Sequence, residues 1–235
     1  MWRMLNMEVT LIDHMGSDLS VVNAARVSFS KESEWESITP AGPVSNLLKE
    51  SDEKLIKYLA KHNHWTPFGH CSVSFRIKAP IFVARQLGKH QVGLVWNEVS
   101  RRYVDSQPEF YYPEYWRGRP TDKKQGSSEE EININPSTGT GPSLLSDYEQ
   151  AIRRCMWTYD ELLRKGVAPE MARMVLPQSM FTEWYWTGSL MAFSRMCSLR
   201  IKEDVQEETR DIASLIDVEC EKLFPISWTH LGTVQ

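Results

Sequence analysis

At 235 residues, with 41% hydrophobic and 25% charged side chains, the chain has ordinary globular usage and can bury a substantial core as one domain or at most two. A formal net charge of −4 disfavours a protein that coats nucleic acid, yet it leaves room for a local basic cluster around a small anion. The cysteines Cys71, Cys155, Cys197 and Cys220 form no Cys-x-x-Cys pair, and no apolar run reaches the roughly 18 residues of a membrane span; free thiols in a soluble, cytoplasmic protein are expected.

Residues 7–13 (MEVTLID) alternate as a strand, and MGSD then supplies a turn with Ser17 or Asp18 as the cap of a short helix carrying Leu19, Val22, Ala25 and Arg26. Residues 30–52 are polar, hold Pro40, Gly42 and Pro43, and read as a loop or surface insertion. A helix over 52–63 turns Leu55, Ile56 and Leu59 inward. HCSVSFRIKAP (70–80) alternates Val73, Phe75 and Ile77 against polar partners, a half-buried strand that Pro80 ends. The next helix, IFVARQLGKH, carries Phe82, Val83 and Leu87 inward, and Gly93–Trp96 reads as a buried strand. Residues 121–143, with the run Glu129–Glu131, read as a mobile loop. A long amphipathic helix from Leu145 is closed by Gly166; APEMARMVLP is a short helix with Pro169 near its start. MFTEWYWTGS is strand-like, SLMAFSRMCSLR helical, and a last helix spans about 204–224 before Pro225. No internal repeat appears. The expectation is one domain, 1–235, with polar insertions near 30–52 and 121–143.

Several segments suggest chemistry. His62, His64 and His70 sit at a spacing that matches no zinc signature and have no neighbouring Cys or carboxylate, so no metal is assigned. There is no G-x-G-x-x-G after a strand and no G-x-x-x-x-G-K-[ST]; a flavin or nicotinamide, if bound, is held some other way. RRYVDSQPEFYYPEYWRGRP has the aromatic and basic content to stack single-stranded nucleic acid, a reading the acidic balance of the chain opposes. Lys89, His90, Arg101, Arg102, Arg173 and Arg200 are more informative. Arg173 in ARMVL and Arg200 in CSLRI lie in apolar sequence, where an unpaired guanidinium costs several kcal/mol. Each needs a carboxylate such as Glu98, Glu170 or Glu203, or an anionic ligand.

Taken together, DLSVVNAARVSF, HNHWTPFGH, APIFVARQ, NEVSRRY, ARMVLP and the SLR around Arg200 resemble the flavin-dependent thymidylate synthases, over about Met7 to Arg210. The family triplet Arg-His-Arg corresponds to Lys89-His90-Gln91, followed by an eight-residue spacer and Ser100; Asn97, Glu98, Ser100, Arg102 and Tyr103 match the motif. Lys89 keeps the charge without the planar fork, Gln91 loses it, and Gly69 stands where the family often has an acidic residue. The resemblance implies an α/β fold, a mixed central sheet flanked by long helices, assembled as a homotetramer with shared active sites. It implies reductive methylation of dUMP to dTMP, with methylenetetrahydrofolate as carbon donor and NADPH-reduced FAD as hydride donor.

By the same resemblance Gln86, Glu98, Val99, Ser100, Arg101, Arg102, Arg173 and Arg200 bind the nucleotide. Arg173 reaches in from a neighbouring subunit, and Arg200 with Ser100 is catalytic. Ser28, His64, Thr66, Lys89, His90, Gln91, Asn97 and Arg195 touch FAD, although the family usually has an amide where Arg195 stands. Two alternatives stay open: a relative that has lost flavin through Lys89 and Gln91 and only binds nucleotide, and a single-stranded nucleic-acid-binding protein using residues 101–120.

Overall fold

The structure is a computed structural model that describes residues 7–38, 45–104, 106–121, 126–128, 130–132 and 144–232. Its strands are β1 (Glu8–Met15), β2 (Glu36–Ile38), β3 (Ser45–Leu47), β4 (Ser72–Pro80), β5 (Leu94–Glu98), β6 (Trp116–Arg117), β7 (Glu131–Ile132) and β8 (Phe181–Ser189). Its helices are α1 (Asp18–Arg26), α2 (Glu50–Lys61), α3 (Ile81–Leu87), α4 (Leu144–Arg164), α5 (Pro169–Ala172), α6 (Leu190–Arg200), α7 (Glu207–Leu223) and α8 (Pro225–Gly232). Among the described residues no helix is long and apolar enough to cross a membrane.

The central sheet has the order β1-β4-β8-β5, and every pairing in it is antiparallel. Alternation decides its faces. Phe75 lies opposite Trp186 and Ile77 opposite Trp184, so these four side chains share one face with Val73. That face joins Val22 of α1, Ile56 of α2, Phe193 of α6, Ile212 of α7 and Trp228 of α8 in one apolar core. Each fully buried side chain of this size stabilises the fold by about 1.5–3 kcal/mol relative to exposure. The opposite face is polar: Ser74 bonds Thr187 at 2.8 Å and Arg76 pairs with Glu183 at 2.5 Å. A smaller cluster, Phe110, Ile152 and Met180, seats α4 beside the end of β8.

Most of the expected elements are present, with four corrections. Residues 30–52 are not all loop, because β2 and β3 pair as a hairpin and α2 begins at Glu50; residues 39–44 lie outside the described set. The helix after Pro80 stops at Leu87, short of His90. Pro225 opens a further helix, α8, rather than ending the chain's helices. The buried Asp18 carboxylate accepts the N–H groups of Ile226 and Ser227 at 3.0 and 2.8 Å, which satisfies two donors that the helix itself leaves unpaired. Most of 121–143, Glu129 included, lies outside the described residues; within it Glu131–Ile132 pairs with Trp116–Arg117.

The fourth correction concerns the strand after Gly93. It is β5, an edge strand, and it is not buried: Val95 is 71% exposed and Val92, just before it, 83%. Only its inward residues pack, with Trp96 stacked on Trp184 at a centroid distance of 4.3 Å. The close approach of β5 to β8 depends on Gly188. A Cβ there would meet Leu94 Cδ2 and, at 2.5 Å, the Gly93 carbonyl oxygen. Gly188→Ala is therefore expected to push β5 off the sheet and destabilise the protein by about 1–3 kcal/mol, the usual cost of overpacking. Urea unfolding checks this, and an unchanged midpoint would show that β5 does not need the close contact.

Candidate active site

Three strands, β8 and its neighbours β4 and β5, lead to most of the candidate residues. β4 runs into α3, which ends with Gln86 and leads to Lys89, His90 and Gln91. β5 delivers Asn97 and Glu98 and continues to Ser100, Arg101 and Arg102. β8 runs directly into α6, whose Ser189 side chain accepts the Ala192 N–H at 3.2 Å as an N-cap, and α6 carries Arg195 and Arg200.

A large cleft, about 680 Å³, is lined by Glu98, Val99, Arg101 and Arg173 among others. The sequence motifs point to these four for nucleotide, and the structure brings them together. Glu98 is fixed from two sides, accepting from Thr182 Oγ1 at 2.6 Å and from Trp96 Nε1 at 3.2 Å. Arg101 donates to the Ser106 carbonyl, and Arg173 Nε to the Glu170 carbonyl at 3.3 Å. Lys78 and Arg85 also line the cleft and escape the motif reading, although Arg85 directly precedes Gln86 in APIFVARQ. Lys78 is paired with Glu109 at 2.5 Å. Among the described residues, Arg85, Arg101 and Arg173 have no carboxylate within ion-pair distance.

Arg200 does not line this cleft and makes two contacts of its own. Its Nε donates to His90 Nε2 at 2.8 Å and its Nη2 to the Gln86 carbonyl at 3.4 Å. Neither partner is a carboxylate, and among the described residues neither Arg200 nor Arg173 forms an internal Arg–Glu pair, one of the two arrangements that their apolar sequence left open. Arg173 is also exposed rather than embedded in the core. Ser100 Oγ accepts from Arg102 Nε at 3.0 Å, and the Arg102 guanidinium stands over the Tyr103 ring at 5.0 Å. Ser100 and Arg102 do not line the large cleft.

A second cleft of about 340 Å³ lies between α2 and α6. His64, Asn63 and Arg195 supply polar groups, and Trp65, Phe68 and Leu199 apolar surface. Arg195 has no carboxylate partner among the described residues, and a guanidinium in that state beside aromatic rings suits a planar ring system bearing an anionic group. Ser28, Thr66, Lys89, Gln91 and Asn97 are exposed and line neither cleft, so the chain by itself does not gather the residues chosen for FAD into one pocket. His62 lies tilted against the Tyr58 ring and His64 meets it edge-on, and among the described residues no cluster suited to a metal ion appears.

The thiols are placed away from this chemistry. Cys71, Cys197 and Cys220 are buried, none lines either cleft, and burial pushes the Cys71 thiol up to about 11 and raises the other two. A protonated, enclosed thiol is no nucleophile.

A family model described as thymidylate synthase complementing protein matches residues 10–226. The flavin-dependent thymidylate synthase of Thermosipho africanus is 37% identical over 218 residues, covering 91% of this chain and 87% of that protein. The chain belongs to the flavin-dependent thymidylate synthase family. A Thermus thermophilus member is 37% identical over 220 residues, with 94% of this chain and 73% of that protein covered. Two solved structures of the UMP/dUMP methylase PolB from Streptomyces cacaoi, bound with 5-Br UMP and 5-Br dUMP, superpose with TM-scores of 0.73 and 0.74 at 28% identity. They cover 97% and 96% of this chain and 95% and 94% of those chains.

Burial, and next to it the Arg200 charge, hold the His90 pKa below its ordinary 6.5. The neutral ring with its proton on Nδ1 is the form that accepts from Arg200. The unfolded chain therefore binds more protons than the folded one as pH falls from about 6.5, so the stability tied to neutral His90 is intact above that pH and lost through the lowered folded value. His90→Gln is expected to flatten this part of the profile when urea midpoints are compared at about pH 7.5 and about pH 5.5. A variant with the wild-type slope would show that His90 does not titrate against Arg200.

Proposed function

We propose that this family member converts dUMP to dTMP, with methylenetetrahydrofolate as carbon donor, NADPH as reductant and FAD as the resident cofactor. The observation that carries the reading is Arg200, half-buried and held by His90 and a backbone carbonyl, with no carboxylate among the described residues to neutralise it. A cation kept in that state stabilises negative charge that develops on a bound molecule.

The nucleotide phosphate carries a charge of roughly −2, and the cations of the large cleft suit it. In this reading Arg101, Arg102, Arg173, Ser100 and Gln86 hold the phosphate, with Val99 lining the cleft. Glu98, already fixed by Thr182 and Trp96, accepts from the sugar and keeps the nearby cations oriented. Arg200 polarises the uracil carbonyl, so that charge builds up favourably when C5 acts as nucleophile toward the carbon donor. His90 keeps the guanidinium in one orientation while adding no charge of its own.

The residues present fit a flavin. His64 and Arg195 in the second cleft suit its anionic and ring portions, and Ser28, Thr66, Lys89, His90, Gln91 and Asn97 complete the set that the family motif assigns. When bound, FAD supplies the hydride that it receives from NADPH. Lys89 and Gln91 offer a point charge and an amide where two guanidinium forks are usual, so a looser hold on the cofactor is expected. The spread of these residues over exposed surface, together with the exposed Val92, Val95 and Met174, supports a homotetramer in which neighbouring chains complete each site.

Two variants test the reading through dTMP formation. Arg200→Ala is expected to lower turnover at least about 100-fold, as loss of one charge-stabilising donor does, while the protein stays yellow. Cys71→Ser and Cys197→Ser are each expected to keep turnover within about threefold, because no thiol attacks the pyrimidine in this mechanism. Near-normal turnover without Arg200, or loss of turnover in folded serine variants, would contradict the assignment.

A further inference from the structure

Helix α3 turns two residues of one face toward the large cleft. Ile81 and Arg85, one turn apart, both line it, whereas Gln86, about 100° further round the helix, donates to Gln206 Oε1 at 2.6 Å. Arg85 is thus the charged residue that α3 presents to the cleft, and the sequence motifs assign it no part. We propose that Arg85 binds the nucleotide phosphate together with Arg101 and Arg173. The proposal rests on the reading of this cleft as the phosphate site.

The charges of the cleft do not balance. Among the described residues its lining holds the cations Lys78, Arg85, Arg101 and Arg173 and the carboxylates Glu98, Glu109 and Glu183. Each of these carboxylates is already engaged. Glu98 accepts from Thr182 and Trp96, Glu109 pairs with Lys78 at 2.5 Å, and Glu183 pairs with Arg76 at 2.5 Å. Arg101 and Arg173 donate to backbone carbonyls. Arg85 has neither a hydrogen-bond nor an ion-pair partner among the described residues.

Three guanidinium groups therefore share one cleft without a counter-charge, and they come from separate elements: the last turn of α3, the turn after β5 and the segment after α5. Like charges repel, and the repulsion grows as a ligand displaces the water between them. A bound dianion relieves it, where a neutral base or sugar does not. The guanidinium fork gives two parallel N–H donors to a pair of phosphate oxygens, a geometry that an amide or an ammonium does not reproduce. A cation in the last turn of α3 also meets the negative end of the helix dipole. That role asks only for positive charge and is blind to the ligand, so the two roles can be separated.

Arg85→Gln removes both the charge and the fork, and Arg85→Lys keeps the charge alone. Dissociation constants of the FAD-loaded protein for dUMP and for 2′-deoxyuridine, which lacks the phosphate, are measured by calorimetry, with the flavin spectrum and thermal midpoint alongside. The expected result is dUMP binding weakened about 30-fold by Arg85→Gln and about fivefold by Arg85→Lys. Deoxyuridine binding is expected to stay within about twofold in both variants, with an unaltered spectrum and midpoint. Equal losses for the two ligands would reduce Arg85 to a structural residue and overturn the proposal. A wild-type protein that prefers dUMP, with the same preference in Arg85→Gln, would overturn the role of Arg85 and leave the phosphate reading of the cleft standing. If the wild-type protein itself binds the two ligands equally, that reading fails, and the role of Arg85 fails with it.

Discussion

The antiparallel pairing of β8 with β4 on one side and β5 on the other is the constraint on which the site depends. β4 feeds α3 and so places Gln86 and His90; β5 feeds the Ser100–Arg102 turn; β8 itself continues into α6 and Arg200. Pairing fixes register, and a slip of one residue would turn every side chain to the other face. Here register is held by the large aromatic side chains of Trp184 and Trp186 in the core and by the lack of a side chain at Gly188, where β5 comes closest. Packing, close backbone approach and site geometry are consequences of the same three strands.

On that frame the cations divide into paired and unpaired sets. Lys78, Glu109, Arg76 and Glu183 neutralise one another on or beside the sheet, whereas Arg85, Arg101, Arg173 and Arg200 have no carboxylate partner among the described residues. Exposed guanidinium groups cost little while hydrated, but Arg200 is half-buried, and its hydrogen-bond partners among the described residues are a neutral ring and a carbonyl. Neutral partners leave the charge available to a ligand, where a carboxylate would cancel it. The lowered pKa of His90 belongs to the same arrangement, since burial and the neighbouring cation both keep the ring neutral.

Local pattern in the sequence revealed what local physics decides. Alternation identified β1, β4 and β8, helical spacing identified α2, α4 and α7, and the NEVSRRY and ARMVLP motifs led to residues that do share a cleft. What was hidden is non-local. Asp18 caps α8 across 208 residues, so Pro225 read as a stop when it is a start. Arg200 finds His90 across 110 residues, and Gln86 finds Gln206 across 120. Apolar character in Val92 and Val95 suggested burial, yet composition reports what a side chain prefers and not what covers it. Arg173 misled in the same way: Ala172 beside it is buried, but Met171 and Met174 are 50% and 70% exposed and Arg173 is exposed with them.

The central claim, that this arrangement of cations serves a flavin and dUMP together, is tested most directly by visible absorption of the purified protein under anaerobic conditions. The account predicts an oxidised-flavin spectrum, present as purified or after loading with FAD, that bleaches on addition of NADPH and does so faster when dUMP is present. A protein that takes up no flavin even in excess FAD, or whose flavin is reduced at a rate indifferent to dUMP, would contradict it. The first result would mean that Lys89 and Gln91 have cost the chain its cofactor; the second, that nucleotide and flavin do not share the site.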